Sequence, residues 1–387
     1  IVRYGTASPD LVAGAAAAYE LAPASVTPLL RNDLGLGPAA AGLIVGVMFG
    51  TAVVSSVPLG IAIDRTGPRR TIAAAVATLL VAGLWGWKAA TDGDYWMLLA
   101  SRILGGIAFT AAWNAGVILV DRAVPGKHRA TAIGTFTASA TVGFALGQSA
   151  GPLVAARTGW PAVFIVFPAL SLAGLLPVWI GSRELAGPGS GGAPNRADLR
   201  GVLTARPVWL LGGVLFAAYV LYLFVNTWAP SYLTAERGLS LAAAGILTAL
   251  FPAIGALSRI SGGLLSDRVF GGRRRPVVRM AFIISVPVVA SFAVLPGLAL
   301  VIGALLLGGY AIQLSIGIGF AAVRELVEPS VATTAVAVLT SLGLAGAFVS
   351  PVAGGALIGA VGYPAAFAIA GGLGGIGLGF AWLLPDT

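Results

Sequence analysis

Apolar residues run along this chain in stretches of about 20, the length a helix needs to cross ~30 Å of hydrocarbon. Twelve stretches are legible, at 10–31, 39–63, 71–90, 95–120, 130–157, 161–181, 207–233, 241–265, 277–298, 299–323, 331–358 and 363–385. The weakest boundary lies at Pro296 and Gly297, where the ninth and tenth nearly touch. Ten-residue segments of period-2 alternation, the mark of a membrane β-barrel, are absent. The pattern predicts an all-α polytopic membrane protein with twelve transmembrane helices.

Composition agrees: 58% of the 387 residues are hydrophobic and only 10% charged. With no cysteine, disulfides and thiolate metal sites are excluded. The first apolar stretch is full length and leads directly into a second, which predicts a span rather than a cleaved leader. A net charge of +9 invites a nucleic-acid reading, but the positions of the basic residues argue for topology instead. Seventeen of the 23 fall in alternate loops, including Arg3, Arg65, Arg122, Arg183, Arg206, Arg268 and Arg324, against four on the other side, Arg31, Lys88, Arg157 and Arg237. By the positive-inside rule both termini are expected in the cytoplasm of a cell with this protein in its inner membrane. Arg102 and Arg259 remain, and both fall inside predicted spans.

The longest polar stretch, SRELAGPGSGGAPNRADLRGVLTARP, reads as a linker rich in Gly, Pro and charge. It divides the chain into a six-helix unit at 1–181, a linker at 182–206 and a second six-helix unit at 207–387. The units are related in sequence: LRNDLGLGPAAAGL from Leu30 matches LTAERGLSLAAAGI from Leu233 at an offset of 203. The same offset pairs Gly60, Asp64 and Arg65 with Gly263, Asp267 and Arg268, and GWPAVF with GYPAAF. An even number of helices per unit gives a parallel repeat, whose site is expected between the halves near the bilayer midplane. One chain holding both halves predicts a unit that works as a monomer.

These motifs resemble the major facilitator superfamily of secondary transporters. GIAIDRTGPRR is similar to its loop motif between helices 2 and 3, with Gly60, Asp64, Arg65, Gly67, Arg69 and Arg70 in register, Pro68 standing where a basic residue is common. GGLLSDRVFGGRRR repeats it in the second half with Asp267 and Arg268. The carboxylate and arginines of such a motif are expected to act as a conformational latch, pairing across the junction of the halves or capping a helix N-terminus. LLASRILGGIAFTAA resembles the helix-4 motif, and GQSAGPLVAA resembles the helix-5 motif of proton antiporters through Gly147, Gly151 and Pro152, with Ala155 and Ala156 in place of its glycine pair. The resemblance implies two six-helix halves about a pseudo-two-fold axis and transport by alternating access.

Arg259 lies eight residues before Asp267, roughly 12 Å along the helix from its end. Its counterpart in the first half is Ser56, so the arginine is an addition to the repeated scaffold. An ionisable group at that depth marks a ligand path. GALSRISGGLLSDRVFGG also resembles the eighth helix of nitrate/nitrite porters, whose arginine contacts the anion, and oxalate and monocarboxylate carriers likewise place an arginine there. The second span lacks the arginine that nitrate porters add, so a monocarboxylate fits one guanidinium fork better than nitrate. Arg102 is expected to support the anion or to snorkel to the outer face. Glu20, the one carboxylate in mid-span, is expected to favour its neutral form there and to exchange protons. Tyr19, Trp113, Asn114, Tyr222, Asn226, Trp228, Tyr310 and Gln313 are candidate cavity residues, Tyr222 and Asn226 sharing one helix face.

GLGGIG at 372–377 fits the dinucleotide pattern but has no strand before it, and His128 stands in a basic loop without partners for a triad or a zinc site. No cofactor or enzymatic chemistry is expected. The sequence favours a proton-coupled carrier of a small anion, with a proton-coupled exporter of hydrophobic or cationic compounds as the alternative.

Overall fold

The computed structural model describes residues 9–124, 126–182, 201–328 and 331–385; the core of the expected linker, with Arg183, Arg196 and Arg200, and Arg3 lie outside them. The first six spans are α1 Pro9–Ser25 with α2 Thr27–Leu34, α3 Pro38–Thr66, α4 Pro68–Asp92, α5 Tyr95–Ala123, α6 Gly126–Thr158 and α7 Val163–Gly181. The second six are α8 Arg206–Ala235, α9 Leu241–Val269, α10 Arg274–Ser291, α11 Leu298–Leu326 and the double-length α12 Ala332–Leu383, which breaks at Gly362. Among the described residues nine helical segments are long and apolar enough to cross a membrane. One of them, α12, holds two spans. The α1–α2 pair and α6 complete the twelve, α1 being only 17 residues long and α6 opening on Gly-Lys-His-Arg before a stretch rich in Thr, Ser and Ala.

Local chemistry sets the ends. Prolines occupy the first turn of α2, α3, α4 and α8, where a missing N–H costs nothing. Asp94 caps α5 by accepting from the Met97 amide at 3.0 Å, and Ser240 caps α9 through Ala243. The repeat reaches the backbone: Gly35 and Gly238 have φ of 62° and 66°, and Gly159 and Gly362 have 85° and 76°, both pairs at the offset of 203. These are turns only glycine makes without strain.

Packing repeats as well. In the first half α1 lies against α6 and α7, α3 against α5, and α4 against α5 and α7; in the second, α8 lies against α12, α9 against α11, and α10 against α11 and α12. The halves meet along two pairs, α3 with α12 and α6 with α9. Glycines bring these pairs together at backbone distance. A Cβ on Gly42 would stand 2.1 Å from the Pro351 carbonyl oxygen, one on Gly46 2.8 Å from that of Phe348, and one on Gly245 2.5 Å from that of Gln148.

All of these approaches lie away from the arginine-rich face. The α3 stripe that touches α12 at Gly42, Gly46 and Gly50 continues toward that face as Val54, Val57 and Ile61, which are 78%, 70% and 45% exposed. The halves are therefore closed on the far side and splayed on the arginine-rich side. Gly42→Val is expected to forbid this closure, because a backbone oxygen cannot step aside as a side-chain tip can. The chain has no cysteine, so a disulfide between Pro38→Cys and Gly359→Cys, whose side chains would touch across the far side, reports it. The cross-link should form in the parent and fall at least about tenfold with Gly42→Val, the effect of ~1.4 kcal/mol on a two-state balance; an unchanged yield contradicts the packing argument.

Candidate functional site

The two intramembrane arginines have opposite environments. Arg102 on α5 is fully buried and does not snorkel. Its Nη1 donates to the Tyr19 carbonyl at 2.9 Å, Nη2 to that of Glu20 at 2.6 Å and Nε to that of Ile44 at 3.0 Å. The reason lies in α1: Pro23 has no N–H, so the Tyr19 carbonyl loses its helical partner and Arg102 supplies one. The guanidinium also lies 4.6 Å over the Tyr19 ring. Every nitrogen of this side chain is committed to joining α1, α3 and α5, which leaves no fork for an anion.

Arg259 on α9 is half-buried and poorly served. Its Nη1 reaches the Thr137 carbonyl of α6, in the opposite half, and its Nη2 reaches Gln313 Oε1 on α11, both at 3.3 Å. Its Nε is buried without a partner. No carboxylate pairs with it among the described residues. It lines a cavity of about 240 Å³ with Ser258, Gly262, Leu314 and Gly317, running between α9 and α11 to Asp267 and Arg274 at the arginine-rich face.

Several of the expected site residues converge here. Gln313 is buried with Nε2 unpartnered, Tyr310 shares a 2.8 Å hydrogen bond with Ser261, and Ser258 donates to the Tyr310 carbonyl. Tyr222 stacks on Phe251 at 5.5 Å and leans on Phe144 of the first half, its hydroxyl buried without a partner. Asn226 gives Nδ2 to the Tyr222 carbonyl at 2.8 Å. Others lie elsewhere. Tyr19 sits under Arg102 in the core of the first half, and Trp113 stacks between Phe109 and Phe136, with the half-buried Asn114 beside it on α5.

Glu20 is 1% exposed, and neither carboxyl oxygen has a partner. Its carbonyl, not its side chain, meets Arg102. Tyr219 on α8, which the sequence reading passed over, stands within electrostatic reach of both Glu20 and Arg259. Gln148 on α6 was also missed. It donates Nε2 at 2.5 Å to the Asn226 carbonyl, the one that Pro230 leaves without its helical donor. A proline four residues beyond a buried carbonyl was the signal for Gln148, as it was for Arg102.

The latch residues make no bridge between the halves. Asp267 pairs with Arg274 at 2.9 Å, and Arg274 with Glu325 at 3.0 Å, all in the second half. Asp64 makes no ion pair among the described residues, while Arg69 donates to the Trp179 carbonyl and lies 3.7 Å over its ring. Arg65, Arg70, Arg268 and Gly263 are exposed, nothing lies within 4 Å of a Cβ on Gly60, and Gly67, at φ 81°, makes the turn into α4. This follows from the splaying: the two copies are held apart. Gly147 and Gly151 admit the Ala18 carbonyl and Ser25 of α1, and Pro152 packs on Gly245, so the helix-5 motif is a packing surface.

Comparison with known proteins agrees with this architecture. The family model described as Major Facilitator Superfamily matches residues 11–312 and 236–387. The Hexuronate transporter of Bacillus subtilis (strain 168) is 26% identical over 70% of this chain and 66% of its own length, and the Nitrite extrusion protein of the same organism is 26% identical over 55% and 52%. The first three curated relatives are matched over 60–66% of their length. The crystal structure of a bacterial homologue of the human lysosomal transporter Spinster, in an inward-facing and occupied conformation, superposes with a TM-score of 0.79 at 17% identity, covering 98% of this chain and 96% of that one. With twelve membrane helices in two related halves and a family match spanning both, the chain belongs to the major facilitator superfamily.

Proposed function

We propose that the protein is a secondary transporter that moves a small anion by alternating access, with Arg259 as the anion-binding residue. The observation that carries this reading is the contrast between the two arginines: Arg102 has a bond to the fold from each of its three nitrogens, and Arg259 keeps an unpartnered Nε and two long bonds to neutral oxygens. A guanidinium so placed retains its affinity for a carboxylate. The names of the relatives lend support, being hexuronate, galactarate/D-glucarate, sulfoacetate, nitrite and L-galactonate transporters or exporters. The arginine-rich face is the cytoplasmic one in the inner membrane, and the splayed state is inward-facing.

Glu20 carries the coupled proton in this reading. Its buried, unpartnered carboxyl is stable when neutral and needs water or a cation when charged. Proteoliposome assays test the assignment. Glu20→Gln should keep anion counterflow within about threefold of the parent and lose uptake driven by a proton gradient by about tenfold or more, the usual size of a coupling free energy. Gradient-driven uptake at the parental rate overturns the role of Glu20. Proton-driven efflux of a lipophilic cation, indifferent to Arg259→Ala, overturns the anion reading itself.

A further inference from the structure

Three buried amides near Arg259 are oriented by their partners. Gln148 and Asn226 each donate to a carbonyl oxygen, at 2.5 and 2.8 Å, which only an NH₂ can do, so their side-chain oxygens are left over. Gln313 accepts from Arg259, so its Nε2 is left over. Gln148 Oε1, Asn226 Oδ1, Gln313 Nε2, Arg259 Nε and the Tyr222 hydroxyl are all buried without a partner. Gln148, Asn226 and Gln313 are fully buried and Tyr222 nearly so. Buried polar groups in native proteins are rarely unmet, so five in one neighbourhood of a transporter mark contacts made by something that comes and goes.

The unmet atoms are sorted by kind. The donors, Arg259 Nε and Gln313 Nε2, belong to one hydrogen-bonded pair. The acceptors, Gln148 Oε1 and Asn226 Oδ1, belong to a second, with the Tyr222 hydroxyl in electrostatic reach of Arg259, Gln313 and Asn226. Tyr222 and Asn226 are one turn apart on α8, about 6 Å. A bare inorganic anion or a fatty acid presents no donors and cannot use the acceptor pair. We propose that the transported anion is a hydroxylated carboxylic acid, its carboxylate on Arg259 and Gln313 Nε2 and its hydroxyl groups donating to Gln148 Oε1 and Asn226 Oδ1. The assignment rests on the anion reading above and makes Gln148 and Asn226 the specificity residues. They come from opposite halves, so the hydroxyl end of the substrate is read across the junction.

Sites that hydrogen-bond a substrate hydroxyl reject analogues that lack it, because their own groups are then left unmet. The test uses the purified full chain with D-gluconate and hexanoate, acids of equal carbon number, and nitrite, in thermal-shift titrations. The parent should bind gluconate about tenfold or more tighter than hexanoate or nitrite. Gln148→Met and Asn226→Leu, each checked by its ligand-free melting temperature, should erase that preference and leave hexanoate binding unchanged. Equal binding of gluconate and hexanoate to the parent, or a preference that survives both substitutions, overturns the hydroxyl assignment alone. If one variant fails to fold, the other and the parental ratio still decide. No stabilisation of the parent by any of the three overturns the assignment and weighs against the anion reading with it.

Discussion

Arg259→Ala is expected to reduce anion transport by about 100-fold or more while leaving the fold nearly as stable as before. Hydrogen bonds to charged groups are worth about 1.5–3 kcal/mol each, and two lost from a carboxylate correspond to roughly this factor. The fold has little to lose. The bonds from Arg259 to the Thr137 carbonyl and Gln313 Oε1 are 3.3 Å long, and the residue is only partly buried. Uptake into proteoliposomes and the detergent melting temperature, measured on the same preparation, check both halves of the expectation. Arg259→Lys should fall between, since it keeps the charge and loses the planar fork.

Arg102→Met is expected to do the reverse and destabilise the protein, by about 3 kcal/mol, since hydrogen bonds to a charged group are worth about 1.5–3 kcal/mol each and a buried carbonyl left unmet costs about 1–3. It removes three carbonyl contacts at 2.6–3.0 Å and the ring contact with Tyr19 from a fully buried site. One carbonyl, that of Tyr19, then has no donor, because Pro23 cannot provide one. This yields a sharper test than loss alone: Pro23→Ala restores the missing N–H and should recover part of the melting temperature in the Arg102→Met background. No recovery would mean that packing, not the orphaned carbonyl, is what Arg102 supplies. A normal melting temperature in Arg102→Met with transport lost would return Arg102 to the anion path.

Much of the architecture was legible because the bilayer imposes a coarse rule on sequence. The break within α12 falls at Gly362, at the start of the twelfth apolar stretch, and the ninth and tenth helices part at Gly297, whose φ is 78°. The repeat at offset 203 was readable from matched motifs and returns as matched positive-φ glycines. The site was less legible, and for a physical reason. The depth of Arg102 and Arg259 in their helices is a one-dimensional quantity, which sequence gives. Whether a guanidinium is already satisfied depends on backbone oxygens of other helices, which it does not. Tyr19 looked like a cavity aromatic and is instead the floor beneath Arg102. Gln148 and Tyr219 were passed over because a polar residue in a small-residue helix, or one more tyrosine, carries no periodic signal. The prolines were visible, and Pro23 and Pro230 each expose a carbonyl that a neighbour must meet. Which neighbour meets it is set by tertiary packing.

The central claim is that Arg259 holds an anion. Thermal stabilisation of the detergent-purified protein by a panel of carboxylates, inorganic anions and lipophilic cations, run beside Arg259→Ala, tests it most directly. The account predicts concentration-dependent stabilisation by one class of anion, absent in the variant, with equal melting temperatures for the two proteins before ligand is added. Stabilisation by cations alone, or by anions equally in both proteins, would contradict it.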